Sequence, residues 1–179
     1  MTDEEKLALI WDERSITKTM LNFGRALDIG DWPLYRSTFT DNILVDFKRL
    51  TTFDEIQVSA DDWTRFAELI LSPVRRHHVF TNFDIKVERD RAFAIVYMTA
   101  RHWKASDMGA SEYNQYGWYD VHFVRQGEEW KIARIKHDFQ WVSGNNAMFD
   151  MSEPKLAENM NLVFCTANRD AAINALKIW

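Results

Sequence analysis

Apolar residues return every three or four positions from Asp3 to about Ile29: Leu7, Ile10, Ile16, Met20, Phe23 and Leu27. That period predicts one or two helices, stopped by Gly30. DWPLYRSTF (31–39) predicts a short helix, with Asp31 as N-cap and Pro33 in the first turn, where a missing N–H does little harm. ILVDF (43–47) predicts a short strand. SADDWTRFAELIL (59–71) predicts a helix opened by Ser59 and Asp62, a capping-box-like pair.

The period then falls to two. Segments 77–88, 91–104, 112–126 and 129–142 are rich in β-formers, separated by the turn-like breaks ERDR (88–91), SDMGAS (106–111) and RQGEE (125–129). Three helices followed by four long strands is an α+β plan, with the helices packed on one face of a curved antiparallel sheet. The chain divides into a domain over 1–143 and a tail over 144–179, with helical stretches near 152–160 and 168–178. The tail would cover the mouth of the sheet or a neighbouring subunit.

Composition narrows the setting. The 179 residues are 46% apolar and rich in Phe, Trp and Tyr, which suits one domain with a substantial core and argues against disorder. Net charge is −5, and the longest basic run is the pair Arg75–Arg76, so the electrostatic footprint of a nucleic-acid binder is missing. A single cysteine, Cys165, leaves no intrachain disulfide and suits a reducing compartment. The first residues are acidic rather than signal-like, and no apolar run reaches the ~20 residues that span a bilayer. The expectation is a cytoplasmic protein without a membrane segment.

Candidate chemistry rests on histidine and aspartate. Asp28 lies at the edge of the first helix's apolar face, where it would cap, pair with a cation or serve a site. His77 and His78 are adjacent on a strand, so their rings point to opposite faces. The odd positions Val79, Thr81, Phe83, Ile85 and Val87 form the more apolar face and would draw His77 inward. His78, Phe80 and Asn82 look like one wall of a polar-tolerant cavity, so alternation leaves the choice open.

His102 closes a face of Ala92, Ala94, Val96, Met98 and Ala100, which either leaves room for a ligand or packs against a helix. Tyr116, Trp118, Asp120 and His122 share a face that is expensive to bury without partners, and read as pocket-lining or interface residues. Tyr119, Val121 and Phe123 share the other. His137 is given no role. Tight metal-ligand spacings are missing, as are phosphate-loop, dinucleotide and nucleophile-elbow motifs. General acid–base chemistry, with neither metal nor cofactor, is what survives.

These segments together resemble a family. ALDIGDWPLYRSTFTDNILVDF, RRHHVFTNFDI, YMTARHW and DVHFVRQGEEWKIARIKHDFQW fall in an order and spacing similar to SnoaL-like members of the nuclear-transport-factor-2-like superfamily, over roughly residues 10–142. Relatives include scytalone dehydratase, hexachlorocyclohexane dehydrochlorinase, bile-acid dehydratase and ketosteroid isomerase. The resemblance implies a cone-shaped α+β barrel around a pocket, and an Asp–His dyad in which Asp28 orients His78 as the base. His77 would then face outward or toward a subunit contact. A second histidine of scytalone dehydratase matches His102, and an asparagine on the following strand matches Asp120.

Leu27 and Phe47 stand where scytalone dehydratase carries tyrosines that polarise a carbonyl. Phe47 also falls close to the base carboxylate of ketosteroid isomerase, while Asp46 should point to the other face. The resemblance therefore implies a cofactor-independent dehydratase, other lyase or isomerase acting on a small hydrophobic, cyclic substrate. Phe47, Phe80, Met98, Tyr116, Trp118 and Asp120 would contact that substrate, and the chain would form a homo-oligomer, a trimer or a dimer. The alternatives are a non-catalytic assembly protein, similar to the small subunit of aromatic-ring dioxygenases, and a small-molecule binder.

Overall fold

The computed structural model describes residues 1–106 and 109–177. Two expectations touch its gaps: positions 107 and 108 of the 106–111 break, and position 178 of the last tail helix, lie outside the described residues.

The first helix is unbroken. α1 (Asp3–Ile29) opens on Thr2, whose hydroxyl accepts from Glu5 N–H at 3.2 Å while the Glu5 carboxylate accepts from Thr2 N–H at 2.6 Å. It closes at Gly30, whose left-handed φ of 73° returns its N–H to Ala26 O. The apolar stripe is buried only from Ile16 onward. Leu7 and Ile10, counted in the helical period, are 68% and 60% exposed. Periodicity marks a face, and it cannot say how far along a helix the sheet reaches. The buried half is tied down by Asp12, whose carboxylate accepts two bonds of 2.8 Å from Arg125 and one of 3.1 Å from the Trp130 indole. Those bonds, Arg125 foremost, hold the Asp12 pKa below the usual carboxylate range.

α2 (Trp32–Ser37) is capped by Asp31, and β1 (Phe39–Asp46) starts earlier than the expected strand. α3 (Lys48–Thr51) and β2 (Ile56–Ser59) were not foreseen, since four-residue elements carry little periodic signal. α4 (Ala60–Leu71) begins at Ser59, whose hydroxyl accepts from Asp62 N–H at 3.1 Å and donates to the Asp62 carboxylate at 2.6 Å. The Asp side chain is one methylene too short for a full capping box, so it binds the hydroxyl instead of the Ser59 main chain.

β3 (Arg75–Glu88), β4 (Arg91–Ser106), β5 (Gly109–Gln126) and β6 (Glu129–Gly144) form an antiparallel meander. β1 then joins β6 in parallel, and β2 closes the order β2-β1-β6-β5-β4-β3. The sheet is thus curved, antiparallel in every pairing but β1–β6 and open at both edges, in keeping with the expected α+β cone with a mostly antiparallel sheet. The buried half of α1 lies on its concave face, against Ala92, Ala94, Val96, Val121, Phe123 and Ile135. Among the described residues, no helix is long and apolar enough to cross a membrane.

The tail contains a 3₁₀ turn (Asn146–Met148), α5 (Pro154–Val163) and α6 (Thr166–Leu176). α5 packs on α4 and α6 on β2, burying Leu156, Val163 and Ala172.

Candidate active site

β3 decides which histidine enters the protein, and it does so by changing phase. Residues 76, 78 and 80 are the less exposed before Asn82, whereas 83, 85 and 87 are so after it. The pairing with β4 slips between Thr81 and Asp84, a β-bulge, and Asn82 takes a positive φ of 48°. Asparagine tolerates that region better than most side chains. The odd apolar residues belong to the core beyond the bulge, and the even ones to the cavity before it. His78 therefore points inward and His77 outward.

Inside, the His78 side chain is 4% exposed and Asp28 18%. Asp28 Oδ1 lies 2.7 Å from His78 Nδ1. The same carboxylate accepts the His78 backbone N–H, at 3.0 Å to Oδ1 and 3.1 Å to Oδ2. A carboxylate beside Nδ1 keeps the proton there and leaves the lone pair on Nε2.

Arg76, two residues earlier on the same inner face, holds the surrounding chain ends. Its guanidinium donates to Leu27 O at 2.6 Å, to Val74 O at 3.1 Å and to Leu71 O, joining the ends of α1 and α4 to the start of β3. Burial lowers its pKa, and nearby Asp28 opposes that shift. The sequence reading did not single it out.

His102 faces His78, with ring centroids 5.9 Å apart and planes near perpendicular. Its Nδ1 lies 3.0 Å from Tyr113 O. A carbonyl oxygen only accepts, so Nδ1 carries the proton and Nε2 the lone pair. Burial first, then the proximity of His78, depresses the His102 pKa to about 4. The ring is neutral near pH 7.

His78, held by Asp28, and His102 line a cavity of about 290 Å³, with Tyr35, Trp63, Tyr119 and His137 in its wall and Asn146, Phe149, Met151 and Met160 contributed by the tail. Burial pushes the phenols of Tyr35 and Tyr119 above their usual range, so both hydroxyls stay protonated. Of the expected contact residues, Phe47 lines the cavity. Phe80 and Met98 belong to the packed layer behind it. Phe80 lies 6.1 Å from Phe23 and 6.0 Å from Tyr119, and meets no cavity surface.

Tyr116, Trp118 and Asp120 lie on the opposite face of β5, away from the cavity, while Tyr119 points in. This corrects the pocket reading of that face. Its polar groups are satisfied outside: Arg134 donates to His122 Nε2 at 3.4 Å and pairs with Glu55 at 2.6 Å, with Asp120 close enough to act on both His122 and Arg134. Tyr116 stacks on Trp141 at 5.1 Å and Trp118 packs on Tyr97 at 5.7 Å. Asp120 therefore cannot act beside His102.

His137, given no role from sequence, is buried in the cavity wall. The available signal was its place two residues beyond Ile135, on the inward face of β6. Among the described residues, no group of three or more His, Cys, Asp or Glu is arranged to hold a metal ion.

Comparison with known proteins follows this geometry. The model of the SnoaL-like domain matches residues 8–136. No curated protein matches the chain. Among solved structures, the chain is similar to the Kfla4162 protein of Kribbella flavida, at 23% identity and a TM-score of 0.70, over 76% of this chain and 95% of that one. A candidate scytalone dehydratase of Novosphingobium aromaticivorans is 20% identical, with a TM-score of 0.67 over 82% of this chain and 93% of that one. A type 2 hexachlorocyclohexane dehydrochlorinase, LinA, is 14% identical, with a TM-score of 0.66 over 83% and 97% respectively. At these identities the likeness is one of fold.

Proposed function

Because the chain belongs to the SnoaL-like domain family, and because Asp28 and His78 meet at 2.7 Å in an aromatic cavity, we propose that it is a cofactor-independent acid–base enzyme, a lyase or isomerase. The Asp28–His78 contact is the observation that carries this reading. Neighbours of the same fold that are named as a dehydratase and a dehydrochlorinase support it. The substrate is a small, largely hydrophobic ring compound that suits the aromatic walls.

His78 Nε2 takes a proton from a substrate carbon beside a carbonyl or leaving group. Asp28 fixes the tautomer and stabilises the imidazolium that forms. His102, neutral with its Nδ1 proton held by Tyr113 O, offers only a lone pair. It orients a substrate hydroxyl and is a poor proton donor. The proton on His78 therefore goes to the leaving oxygen, so that H–C–C–OH becomes C=C plus water, or to another carbon in an isomerisation. Tyr35 and Tyr119 supply the protonated hydroxyls that Leu27 and Phe47 lack. The exposed aromatics of the outer sheet face, Tyr97 and Trp141, would be the contact surface of a homo-oligomer.

The test is a screen of cyclic hydroxy-ketones and halogenated rings for elimination or isomerisation, with His78→Ala as control. A turnover that falls by about 10²–10⁴ in the variant is expected, the range a positioned base contributes. Turnover unchanged by His78→Ala would refute the reading.

A further inference from the structure

The acid–base scheme leaves one buried histidine of the cavity unused. His137 is 1% exposed, and neither ring nitrogen has a hydrogen-bond partner. Its ring lies among Phe47, Tyr119 and Phe139, at centroid distances of 5.1, 5.3 and 5.7 Å. On the other side of Phe47, also at 5.1 Å, is Trp63, a buried side chain whose indole N–H has the Tyr35 hydroxyl as its neighbour. Buried polar atoms in native proteins are nearly always satisfied, so each exception asks for a cause. For an imidazole in a cavity wall with both nitrogens unmet, one cause is that the partner arrives with the ligand.

We propose that His137 forms a recognition point for a neutral oxygen substituent, a hydroxyl or a carbonyl, on a flat ring compound held in the cavity. The proposal takes the cavity as the ligand site, as the acid–base reading does, and is independent of His78 chemistry.

The oxygen is neutral because nothing there would balance a charge. No lysine or arginine is among the described residues that line the cavity. Burial holds the His137 pKa down to about 4, so the ring is neutral near pH 7. A neutral imidazole has one donor and one acceptor. A hydroxyl matches both, and a carbonyl matches the donor. The flat shape follows from the ring faces of Phe47, Trp63 and Tyr119.

This point is separate from the dyad. His78 has Phe80 and His102 as ring neighbours, whereas His137 has Phe47, Tyr119 and Phe139, with His78 and His102 near enough to act on it only through their charge. A substrate that spans the cavity would thus carry an oxygen at the end away from its reacting carbon.

The experiment is calorimetric titration near neutral pH with β-naphthol, naphthalene and β-naphthoate. The proteins are the wild type, His137→Phe, His137→Gln and His78→Ala, each checked by thermal melting. β-Naphthol should bind about tenfold more tightly than naphthalene, the yield of one net hydrogen bond, and β-naphthoate more weakly than β-naphthol. His137→Phe should erase the preference without weakening naphthalene. His137→Gln should keep part of it, and His78→Ala all of it. Equal binding of naphthol and naphthalene, a preference for naphthoate, or no binding of any probe overturns the proposal. A preference that survives His137→Phe but vanishes in His78→Ala also overturns it, and leaves the acid–base reading standing.

Discussion

Asp28 holds His78 by main chain and side chain at once. Its carboxylate accepts the backbone N–H through both oxygens and meets the ring at 2.7 Å. One group from the last turn of α1 thereby sets the height of β3 and the tautomer of the imidazole. Asp28→Asn separates these two roles. The amide oxygen would stay with the backbone N–H, which needs an acceptor, and the NH₂ would face the ring. His78 should then switch to the Nε2–H tautomer, visible in long-range nitrogen–proton correlation spectra. Stability should fall by only about 1 kcal/mol, the worth of a hydrogen bond, while turnover falls by orders of magnitude.

Stability should decline as the protein is acidified from near pH 6.5 toward pH 4. Burial depresses both His102 and His137 from 6.5 to about 4. Within that window the unfolded chain binds the protons and the folded protein refuses them. The linkage slope is therefore positive, so stability rises with pH and is lost on acidification. The loss is on the order of 2–3 kcal/mol per histidine, and it levels off below pH 4 once both states are protonated. Urea midpoints across the window measure it. His137→Phe should flatten the slope by about half.

Asn82 should accept glycine and reject β-branched residues. Its φ of 48° is left-handed, so Asn82→Val should cost about 1–2 kcal/mol and Asn82→Gly a few tenths. Thermal melts distinguish them. An Asn82→Val protein as stable as the wild type would mean that the bulge does not need that conformation.

Gly24→Ala should destabilise, although alanine on an open helix stabilises by about 1 kcal/mol. A Cβ at Gly24 would stand 2.7 Å from Phe80 Cε2. Phe80 packs on Phe23 and Tyr119, and any shift to make room would disturb both contacts. Overpacking costs about 1–3 kcal/mol, so the net loss should be about 1 kcal/mol. The displaced Phe80 ring, 6.2 Å from His78, should also move the His78 ring resonances.

What could be read in the sequence was local. The stop at Gly30, the caps Asp31 and Ser59, and the hairpin breaks at 88–91 and 125–129 are carried by neighbouring residues and appear where expected. The parallel pairing of β1 with β6 joins residues ninety or more positions apart, and no local pattern records it. The orientation of β3 was hidden for a different reason. Skipping Asn82 lets 78, 80, 83, 85 and 87 run on one face, but a strict period of two divides them.

The pocket half of the β5 reading failed on energetics. A face with Asp120 and His122 is expensive to bury without partners, and was read as pocket-lining or interface. The outer surface solves this with Arg134, which lies sixteen residues from the nearest member of that face's tyrosine–tryptophan pair and is invisible to alternation along β5. His137 was passed over because a lone histidine near a strand end carries no pattern of its own.

The cavity wall changes author along the chain. Residues matched by the SnoaL-like domain end at 136, while His137, Asn146, Phe149, Met151 and Met160 come after that limit. The cavity wall is thus encoded in two stretches that meet only in three dimensions, Phe149 of the second lying 5.4 Å from His102 of the first. Exchanging the segment after β6 between two proteins of this fold would graft one roof onto another hearth, altering which molecules fit without touching Asp28 or His78.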